Sequence, residues 1–384
     1  MERKARMAAP DIIKIAATIF VILIHHKTNN SDLTMVQHNL FFMVLLVVSV
    51  VLGVVLFLRA SKVDSDKRKC LEALFLPIVA GLSFVFLKKF AVGFFLIISG
   101  YLMSGTLGKE DMSFRQWYNF RELIPRIVRF YVPLISIFFV ALLYKICILG
   151  KSYSLLEIVV RFFLGGFKPG GYYVTILVQL VLLIPLIHGL VKRYKYKGVI
   201  MCVCFTLIYD VLATAFGMNG TLYKFLIFRL MAHIAFGVYI RYADFDKDKI
   251  CNILTFIIGL VYVICCVFTE VYKPGIFFRW DAVSVISSFF LYPLIALFIN
   301  KFNHIKYTDS GLSGYTLLFA NATYHIFLIQ MLYYTTVGFA FNKYIDNAAI
   351  TLGLNVIITV PAGILYFRFM NPIENKIMSK LKSK

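Results

Sequence analysis

The chain has 384 residues, of which 60% are hydrophobic and 15% are charged, and its mean hydropathy is +0.82. The apolar fraction lies above the roughly 45–50% of globular proteins, so the composition excludes an ordinary soluble domain and predicts a membrane protein. A formal net charge of +21 would suggest nucleic-acid binding in a soluble protein. Here the Lys and Arg residues cluster between apolar segments, as membrane orientation requires, and we expect no nucleic-acid partner.

Twelve apolar windows long enough, or nearly long enough, to span a bilayer follow one another along the chain. They comprise residues 11–27, 38–58, 71–87, 90–105, 127–149, 171–191, 198–216, 222–240, 250–268, 281–300, 314–338 and 348–369. The polar connections are too short to hold a core of their own. We therefore predict an all-α polytopic transmembrane helical bundle of about 10–12 spans. Residues 1–384 would form a single membrane-embedded domain with no soluble domain.

Basic residues are concentrated in alternate connections, which predicts that both termini lie in the cytoplasm. The first window is expected to be a retained span, because it carries charge and no cleavage site follows it. Residues 155–171 are apolar but interrupted by glycine and proline. They are expected to form a short re-entrant or interfacial piece on the outer side.

The first window carries the most informative pattern, a stripe of polar side chains on one helix face. Lys14 and His25 are eleven residues apart, which corresponds to about three helical turns and roughly 16 Å of rise. Asp11 and Thr18 fall on the same stripe. A charge at the bilayer centre costs about 2.5–3.5 kcal/mol on insertion scales, so such side chains usually face a protein interior or a wet cavity. The stripe predicts that this helix carries the function.

Two residues of this stripe each have two interpretations. His25 is either a general base that removes a proton from an attacking hydroxyl, or a histidine that hydrogen-bonds a neighbouring helix; its position inside the membrane favours the base. Lys14 either extends to the membrane surface as an anchor or binds an anionic, phosphorylated donor. In the second case Asp11 would be its ion-pair partner or the N-cap of the helix.

Arg229 lies too far inside its window to be a loop charge. We expect it to face a cavity or to form a buried ion pair with Asp210, Glu157 or Glu270. It also shares a helix face with His233, four residues later. The sequence pattern does not decide between these partners.

Other polar and aromatic residues are weaker candidates for a binding site. Ser99 and Gly100 form a small pair at the end of a window, for which close helix packing is the simplest interpretation. Tyr173 begins one window and is typical of an interfacial aromatic belt. Together with Tyr324 and Gln330 of the eleventh window, it would also suit stacking on a sugar ring beside hydrogen-bonding amides.

Arg126 and Arg129 belong to a basic connection. Their residue content favours ordinary positive-inside charge, although arginine forks also suit the phosphate oxygens of a nucleotide-bearing cofactor. The seven cysteines show neither metal-ligand spacing nor a disulfide framework. Because no phosphate loop, metal constellation or serine elbow is present either, we predict no metal.

The motifs, in this order, resemble the integral-membrane acyltransferase 3 family, which includes bacterial O-acetyltransferases of cell-surface polysaccharides and peptidoglycan. Asp11-x-x-Lys14-x10-His25 is similar to the opening Arg-x10-His helix of that family, with Lys14 in place of Arg. Residues 93–102, Gly-Phe-Phe-Leu-Ile-Ile-Ser-Gly-Tyr-Leu, resemble its Phe-Phe-x-x-Ser-Gly-Tyr segment.

Later motifs extend the resemblance over nearly the whole chain. Arg126 and Arg129 match the basic cytoplasmic stretch of the family, and Phe-Arg-Leu around Arg229 is similar to its Arg-containing span. Residues 323–330 resemble its late Ser-Tyr-x-Ile-Tyr-Leu-x-His segment, with Gln330 where His is common. A further departure is the extra pair of windows between the first two motifs, because the family usually has about ten spans.

The resemblance implies an acyl-CoA donor, most often acetyl-CoA, reached from the cytoplasm, and a hydroxyl acceptor on a glycan or lipid-linked sugar. It also implies the bacterial cytoplasmic (inner) membrane, contact with membrane lipids, and cell-envelope biosynthesis partners. The implied catalytic residues are His25 and Lys14. The implied donor-binding residues are Arg126, Arg129 and Arg229. The implied substrate-binding residues are Ser99, Tyr173, Tyr324 and Gln330.

Two other functions fit parts of the sequence. A transporter or flippase for a sugar or lipid-linked glycan would also have about twelve spans with intramembrane charges, although no convincing repeat relates the two halves of the chain. A degenerate relative that only binds a partner in a surface-polymer complex is the third interpretation, since Lys14 and Gln330 depart from the family pattern.

Overall fold

The computed structural model of the chain describes residues 7–25, 90–109, 113–167, 170–243, 248–268, 284–302, 311–337, 345 and 348–383. Every regular element in these ranges is a helix, which confirms the predicted all-α fold. In chain order the helices are α1 Ala9–His25, α2 Ala91–Lys109, α3 Phe114–Trp117, α4 Phe120–Leu143, α5 Leu155–Phe163, α6 Tyr172–Tyr194, α7 Tyr196–Ala215, α8 Gly220–Phe225, α9 Met231–Tyr239, α10 Lys249–Phe268, α11 Val285–Phe302, α12 Gly311–Thr335 and α13 Ala348–Ser383. A π-helical turn, Tyr144–Ile148, continues α4, and a 3-10 turn, Ile227–Leu230, precedes α9.

Six helical stretches in the described ranges are long and apolar enough to cross a membrane, and the chain is a multi-pass membrane protein. They are Ala91–Gly108, Phe120–Ile148, Tyr172–Tyr194, Tyr196–Ala215, Val285–Phe302 and Gly353–Lys382. Two shorter apolar helices are Ile227–Tyr239 and Ile250–Val263. The predicted windows 38–58 and 71–87 lie outside the described residues, and each of the other windows overlaps a helix.

Glycines allow α2 and α9 to approach until their backbones touch. A Cβ atom on Gly100 would lie 2.5 Å from the carbonyl oxygen of Ile234, and one on Gly237 would lie 2.0 Å from that of Ile97. Both distances are far below van der Waals contact, so a side chain at either position would push the helices apart. Close packing is therefore one role of these two glycines.

Helix α1 packs against α2 and α12. It runs in the same direction as α12, because Lys14 contacts Ala320 early in α12 whereas Ile22 contacts Tyr334 near its end. Helix α13 returns alongside α12. The start of the α1 stripe therefore lies beside the first part of α12, and the far end of α1 lies beside its last part.

The segment predicted as a short re-entrant or interfacial piece contains α5, a helix of nine residues. Its Leu155 and Leu156 side chains are exposed. Gly165 and Gly166 follow with φ angles of 86° and 107°, a left-handed conformation that side chains disfavour, and they turn the chain towards α6. Exposed leucines on a short helix are typical of a helix lying at a membrane interface.

Candidate active site

Asp11 and Lys14 form a buried ion pair at the start of α1. Lys14 Nζ lies 2.8 Å from Asp11 Oδ1 and also donates to the carbonyl oxygen of Ala320 at 3.3 Å. The Asp11 side chain is 2% exposed and that of Lys14 17%. Thr18 donates from its hydroxyl to the carbonyl oxygen of Lys14 at 2.8 Å. This end of the stripe is therefore turned towards α12, and Asp11 is the ion-pair partner of Lys14.

Helix α3 docks on α6 through two side chains. Trp117 Nε1 donates to the carbonyl oxygen of Val181 at 2.9 Å. The hydroxyl of Tyr118 donates to the carbonyl oxygen of Leu182. Burial raises the pKa of Tyr118. The Trp117 ring is held in place by its hydrogen bond and is available as a platform for a cation.

Arg126 of α4 lies on that platform. Its Cζ atom is 3.9 Å from the centroid of the Trp117 ring, and its Nη2 atom is 3.0 Å from Glu122 Oε2. Arg129 is exposed. Two arginines on one turn, of which one is braced by an aromatic ring, can present N–H groups to phosphate oxygens.

Arg126 and Lys14 lie at similar depths along α12. The hydroxyl of Tyr324 donates to the carbonyl oxygen of Phe130 at 2.7 Å, which fixes the level of α4 relative to α12. Arg126 lies one turn before Phe130, and Ala320, the acceptor for Lys14, lies one turn before Tyr324. The two basic side chains therefore approach the same half of α12 from α4 and from α1.

A third polar pair lies in this half of α12. His325 Nε2 is 2.7 Å from Glu374 Oε1 of α13, and each side chain is 5% exposed. The imidazole packs against the rings of Tyr366 and Phe367, with centroids 5.5 and 5.1 Å away. Its buried Nδ1 atom has no hydrogen-bond partner among the described residues. A carboxylate that orients one ring nitrogen leaves the other nitrogen available, as in catalytic histidines.

The other end of α1 is held by side chains of α12. Gln330 Nε2 donates to the carbonyl oxygen of Val21 at 3.0 Å. The hydroxyl of Tyr334 donates to the carbonyl oxygen of Ile22 at 3.2 Å. These two bonds from α12 position the part of α1 that carries His25. The His25 side chain lies outside the described part of the structure.

Asn355 of α13 supports this contact. Its amide nitrogen donates to the hydroxyl of Tyr334 at 3.1 Å, and its amide oxygen accepts from the hydroxyl of Tyr333 at 2.7 Å. Asn355 is fully buried. The residue thus continues the polar network from α1 through α12 to α13.

Ser99 and Tyr173 meet inside the bundle. The Tyr173 ring packs between Phe95 and Phe327, with centroids 5.7 and 5.4 Å away, and its hydroxyl interacts with the side chain of Ser99. Tyr173 is buried, which does not fit an interfacial belt. The two hydroxyl groups lie between α2, α6 and α12 and can form hydrogen bonds to a small polar ligand.

Arg229 lies in the 3-10 turn before α9, apart from Arg126. Its Cζ atom is 5.7 and 5.6 Å from the ring centroids of Tyr172 and Tyr223. Tyr172 begins α6, whereas the platform under Arg126 contacts α6 at Val181, nine residues later. Nine residues correspond to roughly 14 Å of helix rise. The structure therefore does not bring Arg229 together with the basic side chains of α4.

None of the predicted partners that the structure describes pairs with Arg229. The carboxylate of Asp210 accepts from the hydroxyl of Tyr223 at 2.7 Å, and that of Glu157 pairs with Arg161 at 2.7 Å. Glu270 lies outside the described residues. His233, one turn after Arg229, is fully buried, and its Nε2 atom is 3.3 Å from the hydroxyl of Ser287.

The sequence profile of one protein family, described as an acyltransferase domain of type 3, matches residues 7–367. The chain belongs to the acyltransferase 3 family. Neither the curated proteins nor the solved structures contain a match to it. The resemblance seen in the motifs is confirmed, and the chain is a membrane acyltransferase.

In this acyltransferase, the predicted residues divide between two regions. Lys14, Arg126 and Tyr324 lie around one half of α12, with Arg129 beside them. Arg229 lies in the 3-10 turn before α9, next to the start of α6. Within the described ranges, no group of three or more His, Cys, Asp and Glu side chains is arranged to hold a metal ion.

The pattern of the sequence did not predict the pair of His325 and Glu374. The predicted last window ends at residue 369, so Glu374 lies outside the predicted span. The helix continues to Ser383. A signal was present, because His325 lies within an apolar window, where an ionisable residue indicates a partner or a function.

Proposed function

We propose that this acyltransferase moves an acetyl group from cytoplasmic acetyl-CoA to a hydroxyl group of a cell-surface or lipid-linked glycan. The observation that carries the proposal is the geometry of α1. One unbroken helix holds the buried Asp11–Lys14 pair near its start and extends to His25. A polar stripe of this length supports a passage between two substrates that arrive from different sides of the membrane.

The basic side chains around the first half of α12 suit the donor. Lys14 and Arg126 lie at similar depths, and Arg129 is exposed beside them. The positive-inside pattern assigns this end of the bundle to the cytoplasm, where acyl-CoA is present. Phosphate groups of coenzyme A would be held by these cations. The pantetheine arm separates those phosphates from the thioester, which can therefore react farther along α1.

His25 would accept the proton of the acceptor hydroxyl. The hydroxyl oxygen attacks the thioester carbonyl carbon, the C–S bond breaks, and coenzyme A leaves as a thiolate. The protonated imidazole then returns its proton to that thiolate, directly or through water, which regenerates neutral His25. Such general-base catalysis typically contributes about 10²–10⁴ in rate. An acyl group carried transiently by His25 and then passed to the acceptor gives the same overall transfer.

Two roles follow for the remaining candidates. Ser99 and Tyr173 would hydrogen-bond the acceptor, because their hydroxyl groups meet between α2, α6 and α12. Gln330 would position His25 rather than touch the acceptor, since its amide is bonded to the Val21 carbonyl. Tyr324 would fix α4 against α12 at the donor end.

The test measures release of coenzyme A and transfer of label from labelled acetyl-CoA by the purified chain in lipid nanodiscs. His25→Ala is expected to lower both by about 100-fold or more. His26→Ala is the matched control, because it removes the imidazole of the next residue in the sequence. Wild-type rates in His25→Ala would rule out both forms of the mechanism. Mass spectrometry of surface glycans from a strain lacking the chain would then identify the acceptor by a lost acetyl-sized mass.

A further inference from the structure

Arg229 is a permanent charge that is buried, and no described carboxylate forms an ion pair with it. It is 4% exposed, and its Nε atom has no hydrogen-bond partner among the described residues. Two tyrosine rings flank the guanidinium. Buried charges in proteins are normally paired. A guanidinium cannot escape this cost by losing its proton, whereas the neighbouring imidazole of His233 can be neutral.

The chain just before the 3-10 turn of Arg229 is held in a non-helical conformation by Gln179. The amide nitrogen of Gln179 donates to the carbonyl oxygen of Phe225 at 2.7 Å, and its amide oxygen accepts from the backbone nitrogen of Ile227 at 3.0 Å. These bonds bracket Leu226, which is extended and separates α8 from the 3-10 turn. Within a membrane protein, such interruptions occur where backbone is buried in protein or lines a cavity. Substrate sites of membrane transporters use the same device.

Aromatic rings flank the guanidinium. The hydroxyl of Tyr223 is fixed by Asp210, and its ring stacks on Tyr209 with centroids 5.6 Å apart and planes 6° apart. Tyr172 contributes the second ring. Arginine forks pair with the oxygens of carboxylates and phosphates, and aromatic faces pack on sugar rings. An acidic or phosphorylated sugar offers both features.

The position of Arg229 excludes the cytoplasmic donor as its partner. Tyr172 is the first residue of α6, and the basic residues Lys192 and Arg193 lie in the last turn of that helix. By the positive-inside pattern, Arg229 therefore lies at the extracytoplasmic end. An anion that arrives from that side belongs to the acceptor.

We infer that Arg229 binds an oxyanion of the acceptor, so that the glycan acetylated by this chain carries a carboxylate or a phosphate. The inference depends on the proposed function and adds the substrate class. The carboxylate of an acidic sugar and the phosphate that joins a sugar to its lipid carrier share this chemistry, and the experiment separates them.

The experiment uses the full chain in nanodiscs of zwitterionic lipid with acetyl-CoA and three probe acceptors: methyl glucoside, methyl glucuronide and glucose 1-phosphate. Mass spectrometry measures O-acetylated product. We expect kcat/KM for an anionic probe to exceed that for methyl glucoside by about tenfold or more, and Arg229→Gln to abolish the difference. A preference for the glucuronide indicates an acidic sugar, and a preference for the phosphate indicates the lipid-linked phosphate.

Two further measurements test the assignment. Arg161→Gln, which also removes an arginine from the extracytoplasmic end, should keep the preference. Methyl glucuronide or glucose 1-phosphate should raise the thermal stability of the wild-type chain without acetyl-CoA, and should not raise that of Arg229→Gln.

Equal use and equal binding of neutral and anionic probes by the wild-type chain would overturn the inference. The inference would also be overturned if Glu270→Gln gave the same phenotype as Arg229→Gln and the double variant gave no larger effect. In that case Glu270, and not the acceptor, would supply the negative charge that pairs with Arg229. If the wild-type chain turns over no acetyl-CoA, the proposed function fails. The stability measurement still decides whether Arg229 binds an anion.

Discussion

Glu374 holds His325 at 2.7 Å in the interface between α12 and α13, and both side chains are almost fully buried. The two residues are 49 positions apart in the sequence. Because side chains of a helix tilt towards its N-terminus, residues of two antiparallel helices reach towards each other along the interface. The pair connects α13 to α12, the helix that contacts Lys14 and carries Tyr324.

Replacing Glu374 with Ala should destabilise the protein strongly, because the His325 imidazole would lose its buried partner. We expect a double-mutant cycle of Glu374→Ala and His325→Ala to give a coupling free energy of roughly 1–3 kcal/mol. The measurement is the free energy of unfolding in mixed micelles. As a control, the cycle of Glu157→Ala and Arg161→Ala should give less than about 1 kcal/mol, because that pair is exposed. Additive effects at His325 and Glu374 would contradict a coupled pair.

The α1 stripe was predictable from sequence, whereas the partner of His325 was not. Charges at Asp11 and Lys14 interrupt an apolar window, and their spacing alone places them on one face. The partner of His325 depends on how far α13 extends beyond its apolar part and on how it packs. Hydropathy records neither property, so it does not predict the contact with Glu374.

The separation of Arg229 from Arg126 has a different cause. A family motif shows that two arginines occur in the same chain, but it carries no information about depth. Depth follows from the direction of each span and from contacts such as Tyr172 with Arg229 and Trp117 with Val181. The hydrogen bonds of Gln179, which break the helix before Arg229, connect positions more than forty residues apart and are visible only in the structure.

Alanine at Gly237 should be poorly tolerated, because its Cβ atom would lie 2.0 Å from the carbonyl oxygen of Ile97. Overpacking of this kind costs about 1–3 kcal/mol. At Gly189 of α6, a Cβ atom meets nothing within 4 Å. There alanine should stabilise the helix by roughly 0.5–1 kcal/mol. Thermal unfolding in detergent compares the two variants, and equal melting temperatures would show that α2 and α9 are not in backbone contact.

Variants of Lys14 can separate two roles of this residue: neutralising Asp11 in the fold and binding the donor. Lys14→Met should destabilise the protein by about 3–5 kcal/mol, because it leaves the Asp11 carboxylate buried without the ammonium group. The double variant Asp11→Asn/Lys14→Met should recover most of that stability, since neither charge remains. Lys14→Arg should retain both stability and activity, because it restores the residue that is usual in the family.

If Lys14 also binds the donor, the double variant should fold normally and still show a KM for acetyl-CoA about tenfold or more above wild type. The measurements are the free energy of unfolding in micelles and the KM for acetyl-CoA in nanodiscs. A wild-type KM in the double variant would mean that Lys14 only neutralises Asp11. The donor phosphates would then have to be held by Arg126 and Arg129 alone, and the cationic end of the α1 stripe would serve the packing of α1 on α12.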